Sequence, residues 1–140
     1  MARDIEWDGI PHALDCLERL HVAAEQALDH SVNDSADRVA SRTKAAIPLG
    51  PEAHGHLQSS VRVERSEGLR ATVAEGGPRF PYVYFLEFGG RVGRRHAVHR
   101  EYIRSGRYLY PALRTVRPGI EPVMEEHLIE ACRESGWTPR

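Results

Sequence analysis

Residues 10–47 carry apolar side chains at every third or fourth position, which is the spacing of an α-helix. The apolar positions are Ile10, Leu14, Leu17, Leu20, Ala24, Ala27, Leu28, Val32, Ala36, Val39, Ala40 and Ile47. No Pro or Gly lies between Pro11 and Pro48, so we predict one long helix over 10–47. Residues 30–35 have poor helix propensity, which leaves a kink or short break there open. An unbroken helix would be ~55 Å long, so part of it is expected to pack outside its own subunit.

Residues 57–75 show a different pattern, in which apolar and polar residues alternate. A period of two with β-branched residues on one face is typical of half-buried strands. The alternation stops at residues 66–68 and then resumes, which predicts a β-hairpin. One face is expected to pack on helices and the other to meet solvent or a neighbour. The residues that define the faces are Val61 and Val73 on the first, and Arg62 and Arg70 on the second.

The remaining segments complete a single domain over residues 1–140. We predict an N-terminal arm over 1–9, anchored by Trp7, and a Pro/Gly loop over 48–56. The aromatic segment 82–89 is interpreted as a helical turn that runs into a third strand, followed by a basic loop or arm over 90–107. A C-terminal helical region over 108–135 is interrupted at Pro118. The predicted fold class is α+β, with a long N-terminal helix and a C-terminal helix packed on a small antiparallel sheet that comprises the hairpin and the third strand.

Composition is ordinary for a globular protein, with 41% hydrophobic and 28% charged residues in 140. No apolar run approaches the ~20 residues of a membrane span, so we expect no membrane partner. The acidic start of the chain has no apolar core and is unlike a secretory signal. Cys16 and Cys132 fall in predicted helices, and we expect both to be reduced and buried.

Charge is segregated along the chain although the net charge is only −1. Residues 1–47 carry nine acids and five bases, 48–118 carry six acids and twelve bases, and 119–140 carry five acids and two bases. Such asymmetry favours assembly with neighbours or contact with nucleic acid. Lys44 is the only lysine among nineteen basic residues, which fits arginine-rich interfaces and equally a GC-rich genome.

The basic segment 91–107 supplies most of the candidate contact residues. It holds six arginines and a single acid, Glu101, so we predict an exposed segment that is mobile in the isolated subunit. In an assembly it is expected to become ordered and to meet acidic helix faces of a neighbouring subunit. The acidic ends of the chain, including Glu6 and Asp8, offer complementary charge. The candidate contact residues are Arg91, Arg94, Arg95, Arg100, Arg104, Arg107, Glu125 and Glu126.

No set of residues indicates catalysis or a cofactor. The pairs His54/His56 and His96/His99 invite a metal, but a zinc site needs three or four convergent ligands. Glu87 lies among aromatic residues, where burial raises a carboxyl pKa. The simpler interpretation is a carboxylate that accepts hydrogen bonds from backbone N–H groups or an arginine. We therefore expect no metal, no cofactor and no enzyme activity. The alternatives left open are a nucleic-acid-binding protein using 91–107, and a small hydrolase using His96, His99 and Glu87.

Four ordered segments resemble a known family. The first ends the long helix at Lys44-Ala45-Ala46-Ile47-Pro48, and the second is Gly55-His56-Leu57-Gln58-Ser59-Ser60-Val61. The third runs from Tyr82 to Glu87-Phe88-Gly89, and the fourth is Tyr108-Leu109-Tyr110-Pro111-Ala112-Leu113. Together they resemble the tail-completion, or head–tail joining, proteins of long-tailed bacteriophages over roughly residues 36–134. The chain departs from that pattern at His54, at Tyr82-Val83 and in the length of the basic segment.

The resemblance implies a non-enzymatic virion protein of the neck or tail terminus. Members of that family are structural and assemble as rings around the DNA path. For this chain the resemblance implies a homo-oligomeric ring, with a hexamer favoured, next to neck and tail-tube proteins and in possible contact with DNA in the lumen. The implied location is the virion, and the host cytoplasm during assembly.

Overall fold

The long N-terminal helix is continuous. The computed structural model describes residues 9–49, 57–66 and 68–137, and α1 spans Gly9–Ala46 without a break. The weak patch at residues 30–35 stays helical because Ser31 and Ser35 are buried in the packed fold, and tertiary packing overrides weak helix propensity. The hydroxyls of Ser31 and Ser35 donate to the carbonyl oxygens four residues earlier, at 2.8 and 2.7 Å. The predicted arm with Trp7, and residues 50–56 of the predicted loop, lie outside the described residues.

Three C-terminal elements pack along α1. Helix α3 spans Leu109–Val116, a 3₁₀ turn covers Arg117–Gly119, and α4 spans Ile120–Glu134, as the sequence predicts. The turn lies near residues 34–42 of α1 and the end of α4 lies near residues 23–30, so α4 runs antiparallel to α1. Ser31 marks the crossing, where its hydroxyl lies 2.7 Å from His127 Nδ1. Its small side chain lets the two helices approach closely.

The predicted hairpin is present in the predicted register. Strand β1 spans Arg62–Ser66 and pairs antiparallel with β2, Arg70–Ala74, with Val63 opposite Val73. Val61 is buried at the start of β1 while Arg62 and Arg70 are exposed, which confirms the predicted faces.

Residues 57–60 correct the prediction, because they form a 3₁₀ turn and not the first half of the strand. The turn is held by its own polar side chains. Ser60 Oγ donates to the Leu57 carbonyl oxygen and accepts the N–H of Gly76 at 2.8 Å. Gln58 donates to the Ile47 carbonyl oxygen at 2.7 Å. These hydroxyl and amide bonds replace the strand pairing that alternation alone would favour.

The aromatic segment forms α2, Val83–Phe88, and runs into β3, Gly90–Val92. The helical turn and the strand are as predicted, but β3 does not join the first hairpin. It pairs with β4, Val98–Arg100, in a second two-stranded sheet. Gly89 makes the transition with a φ of 88°, and a Cβ there would lie 2.0 Å from the Glu101 carbonyl oxygen. Only glycine fits so close an approach.

The fold class is α+β, as predicted. The buried cluster contains Ala40, Ile47, Leu57, Val61 and Tyr108, and the apolar residues of β1, β2 and α2 pack around it. It therefore joins the end of α1, the 3₁₀ turn, the first hairpin and the start of α3.

Cys16 and Cys132 are free thiols, but both are partly exposed and not fully buried. Cys16 lies on a turn of α1 where its nearest polar neighbours are on the same helix, with Arg19 Nη2 3.5 Å from its sulfur. The predicted burial is wrong because that stretch of α1 has little covering it.

Candidate functional site

The basic segment is an ordered hairpin with an exposed tip. Residues 91–99 are all exposed, as predicted, but β3 and β4 pair in register, with Arg91 opposite His99. A 3₁₀ turn, Arg94–His96, closes the hairpin. Within it Arg95 and His96 have φ values of 58° and 55°, a conformation that non-glycine residues adopt uncommonly. The strands supply the backbone partners that an unstructured arm would lack. We call Arg91, Arg94, Arg95, His96 and His99 the basic tip.

Two of the predicted contact arginines point into the protein. Arg100 donates to the Leu86 carbonyl oxygen and to the Tyr108 hydroxyl, both at 3.0 Å. Arg107 donates to the backbone carbonyl oxygens of Glu87 and Glu101. Both guanidinium groups thus fasten the second hairpin and the following loop to α2. These bonds give both arginines a role within the fold, and their contact with a partner stays a prediction.

The other predicted contact residues are exposed. Arg104 lies in the turn before α3, and Glu125 and Glu126 lie on α4. The two glutamates share a shallow acidic surface with Glu130 and Ile129. In the described ranges no ion pair joins the basic tip to this α4 surface of the same copy. Contact of the basic tip with an acidic surface of another copy stays a prediction. Glu6 and Asp8, named for the same role, lie outside the described residues.

Glu87 is a buried carboxylate that holds the start of α3. Its side chain is 2% exposed. Oε1 accepts the N–H of Arg107 at 3.1 Å and of Tyr110 at 3.4 Å, and Oε2 accepts the N–H of Tyr108 at 3.0 Å and of Leu109 at 3.4 Å. This bears out the simpler interpretation of Glu87, since its hydrogen-bonding capacity is used by backbone N–H groups.

Glycine at position 106 makes this arrangement possible. Gly106 has a φ of 73°. A Cβ there would lie 2.2 Å from Glu87 Oε1. Any other residue would displace the carboxylate from the N–H groups that it caps.

Glu75 lies against Glu87 and was not singled out from the sequence. Burial, the charge of Glu87 and a side-chain hydrogen bond with Glu87 raise the pKa of Glu75 to about 7. A proton on Glu75 is favoured, because its carboxylate would lie in a partly buried site beside the like charge of Glu87. The sequence offers no signal for this pair, since twelve positions separate the two residues and nothing local brings them together.

The histidines named as possible ligands or catalytic groups do not converge with Glu87. His96 and His99 are exposed on the basic tip, whereas Glu87 is interior and engaged by backbone N–H groups. His54 and His56 lie outside the described residues. Within residues 9–49, 57–66 and 68–137, no group of three or more His, Cys, Asp or Glu is placed to hold a metal ion.

An apolar groove separates α1 from α3. Its floor and walls come from α1, β2, α3 and the start of α4, and its volume is about 480 Å³. Tyr110 and Leu113 stand at its mouth and remain exposed. The residues that line it are Val32, Ser35, Ala36, Val39, Ala71, Thr72, Val73, Leu109, Tyr110, Leu113 and Ile120. The sequence marks most of these residues as apolar, Ser35 and Thr72 being exceptions, but it does not show that the space between them stays open.

Comparison with protein-family models, with curated proteins and with solved structures finds no match to this chain. None of the helices described here combines the length and the apolarity needed to cross a membrane. Three surfaces of the described residues are candidates for contact with partners: the basic tip, the acidic α4 surface and the apolar groove.

Proposed function

We propose that this chain is a structural subunit of an oligomeric ring at the head–tail joint or tail terminus of a long-tailed bacteriophage. One observation carries the proposal: the segments that bear the family resemblance contact one another. Ile47, Leu57, Val61 and Tyr108 lie in one buried cluster. Glu87, from the Glu-Phe-Gly segment, caps the helix that the fourth segment begins. These contacts bring the four segments together in one part of the fold, which supports considering them as a set.

Three exposed surfaces support a structural subunit that acts by binding its neighbours. The basic tip projects as a hairpin, α4 presents an acidic surface, and the first turns of α1 leave Ile10, Leu14 and Leu17 exposed. Opposite charges on separate surfaces of one subunit favour a head-to-tail arrangement of copies. Such a heterologous contact generates a closed ring when its rotation allows. The proposed partners are further copies of the chain and the adjacent neck and tail-tube proteins, and the resemblance favours a hexamer. The proposed location is the virion, and the host cytoplasm during assembly.

The test is the oligomeric state of the full chain. We expect native mass spectrometry and light scattering to detect a single closed assembly, and electron microscopy to show a ring with a central opening. Assembly is expected to weaken at high salt, because exposed charge pairs are screened. A protein that stays monomeric at every concentration, and does not join isolated tail tubes, would contradict the proposal.

The exposed arginines of the basic tip favour one alternative, a small nucleic-acid-binding protein. Arg91, Arg94 and Arg95 sit close together with His96 and His99 and are exposed, which suits contact with a phosphate backbone. That function predicts tight, steeply salt-dependent binding of duplex DNA by the monomer. Assembly without such affinity favours the ring, and affinity without assembly favours the alternative.

A further inference from the structure

The first turns of α1 carry an apolar ridge with no partner in the same copy. Ile10, Leu14 and Leu17 are 50%, 60% and 58% exposed. Their spacing of four and three places them on one side of the helix. Apart from Cys16, every residue of 9–19 is exposed, so this length of about 16 Å projects beyond the body of the domain. We call these three residues the ridge.

The groove between α1 and α3 is complementary in shape to the ridge. It is apolar, about 480 Å³ in volume and open at Tyr110 and Leu113. A helix that lays apolar side chains at such spacing into a hydrophobic groove is a recurrent mode of recognition. The chain therefore carries both halves of one contact.

The ridge cannot enter the groove of its own copy. Residues 32–39 of α1 form one wall of that groove, and α1 is continuous from Gly9 to Ala46. Leu17 and Val32 are thus held about 22 Å apart along one rigid helix. Only the ridge of another copy can reach the groove.

Charge around the two surfaces is also complementary. Residues 9–30 of α1 carry Arg19 against four acids, namely Asp15, Glu18, Glu25 and Asp29. The α3 wall of the groove, from Leu109 to Gly119, carries Arg114 and Arg117 and no acid. The α1 wall carries Asp34 and Asp37, whose charges are offset by ion pairs with Arg38 and Arg65. Opposite potentials steer and orient an encounter even where they add little affinity.

We propose that the ridge of one copy lies in the groove of the next, so that this contact joins neighbouring subunits head to tail. The inference rests on the proposed function as a ring subunit, and it names the surface that builds the ring. Three side chains form a small contact beside the ~800 Å² per partner of a standard interface. A single pair of copies is therefore weakly bound. In a closed ring each copy contributes one ridge and one groove, and this closure stabilises the assembly.

The first test places a charge in the contact. Leu14→Asp on the ridge and Leu113→Asp at the groove mouth each put a carboxylate into an apolar interface, and self-association should weaken about tenfold or more. The two side chains are 60% and 43% exposed in the single copy, so thermal melting of the subunit should change little. Val22→Asp is the matched control, because Val22 is 48% exposed on another side of α1, and it should assemble normally.

The second test identifies the pairing by disulfide cross-linking. In a chain carrying Cys16→Ser and Cys132→Ser, the pair Leu14→Cys and Leu113→Cys should give a ladder of linked copies under oxidation, and neither substitution alone should cross-link. Dimers from Leu14→Cys alone would mean that two ridges pair with each other and would overturn the proposal. Normal assembly of both Asp variants would also overturn it while leaving the ring function standing. A wild-type protein that never assembles would remove the ring function itself.

Discussion

At the scale of single residues, Glu87 supplies from a distant element the cap that α3 lacks in its own sequence. The first N–H groups of a helix have no partner within the helix, and Tyr108, which precedes α3, makes no capping bond with its side chain. A carboxylate satisfies such N–H groups and interacts well with the positive end of the helix dipole. The cost is a charge held in the interior. The burial of the neighbouring Glu75, together with this charge, raises the pKa of Glu75.

Glu75 should make the stability of the protein depend on pH. Its pKa is about 7 in the folded chain against 4.5 as the ordinary value, so between these values the folded state keeps a proton that the unfolded state has lost. The free energy of unfolding therefore falls as pH rises from about 4.5 through 7. We expect a loss of about 1–2 kcal/mol, less than the full shift implies, because the side chain is partly solvated.

The measurement is urea unfolding of wild type and of Glu75→Gln at pH 5 and pH 8. The variant should be more stable than wild type at pH 8 and close to it at pH 5, because the amide stays neutral at both. Glu64→Gln is the control, since Glu64 is exposed on β1, and it should follow the wild-type profile. Parallel profiles for Glu75→Gln and wild type would show that Glu75 ionises normally.

At the scale of elements, the first hairpin shows how apolar and polar contacts on one face hold a register. Val61 belongs to the buried cluster and Val63 and Val73 pack against it. Further along β1 on the same face, Arg65 bonds to α1, with two bonds to Asp37 at 3.0 and 2.8 Å and one to Asn33 at 2.8 Å. A slip of one residue would exchange the faces. It would expose Val63 and Val73 and turn Arg62 and Arg70 toward the core.

Val61→Asp tests this register directly. A carboxylate at Val61 would replace a buried side chain in the cluster and find only apolar neighbours, so we expect a loss of more than about 3 kcal/mol in the free energy of unfolding. Val98→Asp makes the same change at an exposed position of β4 and should cost less than about 1 kcal/mol. Chemical unfolding of the two variants checks the difference. Equal, small losses would mean that Val61 is not in the core.

At the scale of the whole molecule, the opposite charges lie on different surfaces. The basic tip stands on the second hairpin, and the acidic surface of Glu125 and Glu126 lies on α4. Exposed ion pairs contribute only ~0–1 kcal/mol each. Several of them repeated around a ring would set the register and the specificity of the assembly.

The variant that tests the tip is Arg91→Ala with Arg94→Ala and Arg95→Ala. It leaves Arg100 and Arg107 in place, because these two hold the fold. We expect normal thermal melting of the subunit, weaker assembly in sedimentation and a smaller salt dependence. Replacing Arg38, Arg42 and Lys44 on α1 with Ala removes the same charge elsewhere and should leave assembly unchanged. Unaltered assembly of the first triple would mean that the tip is only solvated, and a selective loss of DNA affinity would favour the nucleic-acid alternative.

The sequence by itself determined the elements whose signal is local. These signals involve only residues that lie a few positions apart in the sequence. They are the period of α1, the alternation of β1 and β2, and the breaks at Gly89 and Pro118. They are enough to place the helices, the first hairpin and its faces, and the exposure of residues 91–99.

Only the tertiary structure decided where the polar side chains find their partners. Arg100 and Arg107 lie in the same arginine-rich segment as Arg94, yet they donate hydrogen bonds to carbonyl oxygens across the fold. Ser60 turns residues 57–60 into a 3₁₀ turn through the N–H of Gly76, and β3 pairs with β4 instead of extending the first sheet. The contact of Glu75 with Glu87 and the open groove have the same origin. Each depends on chain segments that meet only after folding, and no local period encodes which distant group will be the partner.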